Sequence, residues 1–227
     1  MSYDLSSQRL DRSRPLRDQI YPLVRRLLLT GTIKPGDAID EKAIAAQLGI
    51  SRTPVREAVK RLADEHLVEV MAQSATRAAK IDRKEIEESF LIRRALEMES
   101  AAQAAARMTQ DHADRLAAVL VAHARAIERR NYVEAIAHDD EFHRAITGIS
   151  DLPRLWSTID ISKAQLDRCR HLMLPRAGEA EATLEQHREI IRALNSRDPA
   201  KASSAMKAHL DAAYRSTLAV LDGPGLE

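Results

Sequence analysis

Aromatic side chains are scarce in this 227-residue chain, at 3% of the total, and glycine (7) and proline (8) are also few. A β-sandwich or barrel needs turn residues every ~8–12 positions and aromatics to fill its layers, so this composition disfavours both and favours helices. Cysteine occurs once, as Cys169. That excludes an internal disulfide framework and a multi-cysteine metal site, and the residue is expected in the core. No apolar run approaches the roughly 18–20 residues of a membrane span. The N-terminus lacks the apolar stretch of a secretory leader. A cytoplasmic protein with no membrane partner is expected.

Net charge is also nearly absent, at +1 from 35 basic and 34 acidic side chains, but its distribution is uneven. Residues 1–80 hold 14 Lys and Arg against 10 Asp and Glu, a net of +4, and residues 81–227 hold 21 against 24, a net of −3. A basic N-terminal part joined to an acidic C-terminal part fits a nucleic-acid module fused to something else. The length suits two ordinary domains.

What is present is a helix-turn-helix pattern over residues 40–70. Ile44, Ala45 and Leu48 have helical apolar spacing. Gly49 follows, a residue suited to the positive φ of a helix end. Ser51 is placed to cap the next helix, with Pro54 in its first turn, where no intrahelical N–H is lost. Val55, Ala58, Val59 and Leu62 form the buried stripe, and Arg52, Arg56 and Lys60 recur at i, i+4 and i+8 on another face. Such a stripe suits a helix that reads the major groove, where arginine binds guanine bidentately. It also suits the solvated face of an ordinary helical hairpin. The β-like run at Leu67, Val68 and Val70 completes the outline of a winged helix-turn-helix.

Three segments carry a family resemblance: Ile33-Lys-Pro-Gly-Asp37, Leu48-Gly-Ile-Ser-Arg-Thr-Pro-Val-Arg-Glu-Ala-Val-Lys-Arg-Leu62 and Leu67-Val-Glu-Val70. They closely resemble the N-terminal domain of GntR-type bacterial transcription regulators over residues 14–81. The resemblance implies a double-stranded DNA operator as partner, contacted by Ser51, Arg52, Thr53, Arg56 and Lys60. It adds Lys42 on the preceding helix. It also implies a wing hairpin reaching the minor groove. Its expected strands are 67–71 and 77–81, and its tip, Ala72–Thr76, lacks the family's glycine, which leaves Arg77 as the nearby cation.

Around this module, residues 1–13 are polar and expected to be loose. A helix from Pro15 to Gly31 carries Leu16, Ile20, Leu23, Val24, Leu27 and Leu28, with Pro22 as a possible kink. Residues 82–222 read as a second unit, an antiparallel all-α bundle of six helices at about 84–107, 111–130, 132–148, 152–172, 179–196 and 198–221. The fold is therefore expected to be mainly α.

Eight histidines raise the question of a metal. Asp139 and His143, at i and i+4, lie on one helical face. His187 and His209 flank the turn near Ser196 and stand ~14 and ~20 Å from it at about 1.5 Å per residue, so an antiparallel hairpin brings them to similar heights. Three imidazoles and one carboxylate could then converge, a donor set suited to zinc, nickel or manganese. Residues 84–221 also resemble the FCD effector domain of the FadR branch, whose common form binds a metal through an Asp-x-x-x-His pair and two later histidines. Asp139, His143, His187 and His209 match that pattern, and six helices resemble the VanR-like subgroup. The resemblance further implies homodimerisation and a small carboxylate effector. Arg93 matches a family arginine facing the cavity, although a surface ion pair with Glu97 at i+4 would account for it equally. His112, His123 and His138 lack such partners, His171 is unassigned, and Trp156 is expected in the core. Two other readings fit the same residues. One is a metalloenzyme whose three-His, one-Asp site activates water. The other is a constitutive DNA-binding protein with a structural metal.

Overall fold

The computed structural model describes residues 5, 8–70, 76–176 and 178–223. The chain divides into two compact units at Asp82/Arg83.

In the first unit, α1 (Leu16–Leu29), α2 (Glu41–Leu48) and α3 (Arg52–Asp64) precede a hairpin of β1 (Val68–Glu69) and β2 (Arg77–Ala78). Ile20, Val24, Leu27 and Leu28 of α1 and Val55, Ala58, Val59 and Leu62 of α3 are buried where these helices meet. Each fully buried side chain of this size contributes roughly 1.5–3 kcal/mol. Pro22 sits inside α1 on its exposed side, and the helix continues through it. The α2–α3 turn forms as the sequence predicts, because Gly49 takes the left-handed conformation (φ 62°, ψ 38°). Capping departs from expectation. Ser51 occupies the N-cap position of α3 in extended geometry, but its side chain makes no capping hydrogen bond. The working cap is on α2, where Asp40 accepts from Ala43 N at 2.9 Å.

The strands are shorter than the expected 67–71 and 77–81, with Val68 opposite Ala78 and Glu69 opposite Arg77. The α1–α2 connection supplies further pairing. Gly36 N donates to Ala78 O, Ala78 N to Asp37 O, and Ile39 N to Thr76 O, at 2.8–2.9 Å. The expected wing tip lies, apart from Thr76, outside the described residues. Where it is described, the segment before α1 is fastened rather than loose. Leu5 is buried, and Gln19 exchanges two 2.8 Å hydrogen bonds with the Asp11 backbone.

The second unit holds seven helices among the described residues: α4 (Arg83–Ala106), α5 (Gln110–Glu128), α6 (Tyr132–Ile149), α7 (Pro153–Ser162), α8 (Ala164–Met173), α9 (Glu179–Asn195) and α10 (Pro199–Leu221). The six-helix expectation fails at one place. The stretch read as a single helix over 152–172 is divided at Lys163 (φ −84°, ψ 0°), whose ammonium group turns inward to the carboxylates of partly exposed Asp140 and buried Asp167. The subgroup resemblance that rested on six helices loses that support. α4 packs along α10 and α5 along α6, with α9 against both α10 and α5. Buried Ala101, Ala104 and Ala105 line one side of α4. Phe90 stacks on Tyr214 with ring centroids 4.0 Å apart. Cys169 is buried, whereas Trp156 is only half-buried, with the Arg144 guanidinium 5.1 Å from its ring.

Two tight connections set the helix registers. Arg130 takes positive φ (55°) after α5, and Asn131 caps α6 by accepting from Glu134 N. Arg197 (φ 56°) follows α9, and Asp198 caps α10 by accepting from Ala200 N and Lys201 N, with Pro199 at the first helical position. No helix among the described residues is long and apolar enough to cross a membrane.

One ionisable contact ties the first unit together. The Tyr21 hydroxyl donates to Glu65, which also receives Arg25 Nε at 3.0 Å. Burial, helped by Glu65, raises the Tyr21 pKa. A phenol whose folded pKa lies above its unfolded value stabilises fully below about pH 10 and loses that contribution as pH rises further. The thermal transition of the wild type, followed on α1 and α3, should therefore fall as pH rises above about 10. Tyr21→Phe should cost about 1 kcal/mol at neutral pH and flatten the alkaline loss; an unchanged alkaline profile in this variant would refute the assignment.

Candidate metal centre and nucleic-acid interface

The candidate nucleic-acid face lies on α2 and α3. Lys42, Arg52, Arg56 and Lys60 are all exposed, and they line one surface groove with Asp40, Glu41, Val70 and Thr76. Ser51 and Thr53 are exposed at the start of α3. Arg77 stands differently, because its Nη1 donates to the Gly36 carbonyl at 3.0 Å and holds β2 to the α1–α2 connection. Sequence reading missed Glu41. Its carboxylate is 12% exposed and lies 3.8 Å from Arg52 Nη2 and 3.6 Å from Arg56 Nε. An acidic group between two groove arginines offsets part of the positive charge of this face. It holds both guanidinium groups off the random orientations of free side chains.

In the helical unit, α6 brings Asp139 and His143 inward, α9 brings His187, and α10 brings His209. One potential ligand atom from each lies within 4.8 Å of the others, and all four residues are buried. His143 Nε2 and His209 Nε2 are 3.2 Å apart. His187 Nε2 is 3.4 Å from Asp139 Oδ1. Donors bound to a common ion at about 2.0–2.1 Å stand roughly 3–4 Å apart, so the spacing suits one ion.

Neighbouring groups settle the ring orientations. His143 Nδ1 lies against Glu97 Oε2, and His209 Nδ1 meets Gln186 Oε1 at 2.8 Å. In each ring this turns Nε2 toward the cluster, as second partners do for metal-binding histidines. Neither nitrogen of His187 has a hydrogen-bond partner, although the residue is 0% exposed. A buried imidazole with no hydrogen bond is costly unless something else satisfies it, and an ion would do so. The residues therefore fit a metal.

The electrostatics agree with this fit. Burial, the largest influence, brings His209 down to about 3. Burial also takes His187 well below its ordinary value. For Asp139 burial acts upward, but Arg170 and the histidines outweigh it and hold the carboxyl well below its usual range. Burial likewise opposes ionisation of Glu97, yet Arg93 and His143 bring it to about 2. Neutral imidazoles and an ionised carboxylate are the ligating forms.

Arg93 is not on the surface. Its guanidinium is buried and paired with Glu97, which links it through that carboxylate to His143. His123, expected to be inert, is buried with its ring centroid 5.4 Å from that of His187. Arg170 of α8 was also missed; it donates to Asp139 Oδ2. The i+4 spacing from Arg93 pointed to Glu97, but nothing along the chain brings Arg170 to Asp139.

Residues 16–77 match the gntR family of bacterial regulatory proteins, and residues 88–212 match the FCD domain. The HTH-type transcriptional repressor RspR of Escherichia coli is 33% identical over 201 residues, 88% of each chain. A probable D-xylose utilization operon transcriptional repressor of Paenarthrobacter nicotinovorans is 31% identical, over 93% of this chain and 92% of its own. Among solved structures, Escherichia coli McbR/YncC superposes with a TM-score of 0.81 at 23% identity, covering 91% of this chain and 99% of that one. These relatives are regulators rather than enzymes. The chain belongs to the gntR family of bacterial regulatory proteins and joins its DNA-binding helix-turn-helix to an FCD domain, making it a transcription regulator.

Proposed function

We propose that this regulator is a homodimeric repressor whose operator affinity responds to a small carboxylic acid bound at a divalent metal, zinc, nickel or manganese, in the FCD bundle. The observation that carries the reading is the buried convergence of Asp139, His143, His187 and His209 from three helices. A bound divalent ion would supply the positive charge to which an effector carboxylate attaches. Asp139 and the three imidazoles would hold that ion. Arg93, through Glu97, fixes the His143 ring and adds a buried cation beside the site. The role of repressor follows the printed names of two relatives.

Homodimerisation is supported by exposed apolar side chains on two mutually packed helices, Leu91 and Ile92 on α4 and Ile161 on α7, with Leu152 just before α7. A two-fold dimer would present two α3 helices to a roughly palindromic operator. Effector binding alters DNA affinity only through a difference in affinity for two arrangements of the dimer. On the DNA face, Arg52 and Arg56 would read bases, Lys42, Lys60 and Thr53 would meet bases or phosphates, Ser51 would touch backbone, and Arg77 would lie near the duplex.

Binding-site selection from randomised duplexes, followed by anisotropy titrations, tests the DNA reading. Arg52→Ala and Arg56→Ala should each lose about 1–3 kcal/mol of specific affinity, with the thermal transition of the bundle unchanged. Unchanged operator affinity in both variants would remove α3 from the interface. Glu41→Gln should raise non-specific affinity severalfold and lower the specific-to-non-specific ratio, because it removes a negative charge from the groove and frees both guanidinium groups. A preserved ratio would leave Glu41 without a part in selectivity.

The metal reading is tested by thermal shift on metal-loaded and chelated protein. Metal at about a thousand times its Kd should add roughly 4 kcal/mol, and His187→Ala should abolish the gain. A matching carboxylic acid should raise the transition further only in the loaded protein. If chelation changes nothing and no acid binds, the reading is wrong.

A further inference from the structure

Arg170 is fully buried in α8 and donates to three carboxylates. Its Nη1 lies 3.0 Å from Asp140 Oδ1 and 3.1 Å from Asp167 Oδ1, and its Nη2 donates to Asp139 Oδ2. Asp140 and Asp167 are themselves fixed. Lys163, 1% exposed at the α7–α8 junction, donates from Nζ to Asp140 Oδ1 at 3.0 Å and also to Asp167 Oδ2. One nitrogen of the guanidinium is thus pinned by two anchored carboxylates. A planar fork held at one tine cannot turn, so the other tine is aimed at Asp139.

We infer that Arg170 is the positioning residue of the metal centre: braced by Asp140, Asp167 and Lys163, it occupies Asp139 Oδ2 and leaves Oδ1 to the ion. Oδ1 is the oxygen that faces the unpartnered Nε2 of His187 at 3.4 Å. This inference rests on the metal reading above. Asp139 is the one ligand of the four that an arginine fixes directly, and lysine could not replace it. An ammonium group carries the same charge but lacks the fork that spans Asp139 on one side and Asp140 with Asp167 on the other. The brace ties the centre to α8 at the point where the α7–α8 stretch bends, because Lys163 is both the bend and the anchor.

The test uses the full-length protein and Co2+ as a probe, read by visible absorption and by chelator competition. Arg170→Lys keeps the net charge and removes only the fork. It should weaken Co2+ binding about 10–100-fold, as loss of a second partner does for a metal ligand, and should alter the cobalt spectrum. Arg168→Lys is the control. Arg168 is buried on the same helix, but it reaches Gln165 at 3.1 Å rather than Asp139. A purely structural role would make the two variants alike, lowering thermal stability and leaving cobalt affinity intact. Should Arg170→Lys fail to fold, Asp140→Asn, at a partly exposed position, removes one anchor and should weaken Co2+ severalfold. Wild-type protein that binds no Co2+ would overturn the metal reading itself. Wild-type binding matched by Arg170→Lys, or by Asp140→Asn where the first is unfolded, would overturn the inference alone.

Discussion

Asp139 is 4% exposed, and an ionised carboxylate without water must be neutralised locally or protonated. Arg170 meets that condition as a permanent cation on Asp139, while burial keeps the imidazoles of His187 and His209 neutral. Each partner creates a demand of its own. Arg170 brings in Asp140 and Asp167, which bring in Lys163, and His143 brings in Glu97, which brings in Arg93. The polar interior of the FCD bundle is a chain of such obligations, and it ends where Asp160 and Asp140 reach solvent. A purely apolar core would pack the helices without any of this. The cost of so much buried charge is explained by the site it surrounds.

Much of this was legible wherever the relevant distance is short along the chain. The helix-turn-helix follows from Gly49, Pro54 and two apolar stripes, all within about five turns of helix. Asp139 and His143 share a face by spacing alone, and counting from the turn at Ser196 placed His187 and His209 at similar heights, about one turn apart. Tight connections keep such counting valid: with Arg197 and Asp198 fixing the α9–α10 turn, no slack accumulates between the two histidines.

What escaped the sequence depends on contacts between distant segments. Arg170 and Asp139 are 31 residues apart, and no periodicity relates them. The bend at Lys163 was invisible because 152–172 reads as one uninterrupted helix with no glycine or internal proline to break it. A buried lysine paired with carboxylates stands at the break instead. His123 appeared inert because nothing near it in the chain is a ligand; its neighbour His187 comes from another helix. Ser51 shows the opposite limit. The position was right, but a hydroxyl can occupy the N-cap and leave the capping bond unmade, and no sequence rule separates these cases.

The two units use one device in two solvents. In each, arginines are held by a glutamate or aspartate, and exposure decides what the pairing accomplishes. Arg52 and Arg56 are more than half exposed, and Glu41 holds them at 3.6–3.8 Å. Such surface pairs are worth about 0–1 kcal/mol, so a competing anionic partner would displace the glutamate at little cost. Arg170 and Arg93 are buried, and removing one partner of a buried pair costs roughly 3–5 kcal/mol because a bare charge remains. The first arrangement leaves its side chains free to turn to another partner. The second holds its side chains in place, and Asp139 and His143 both rest on it.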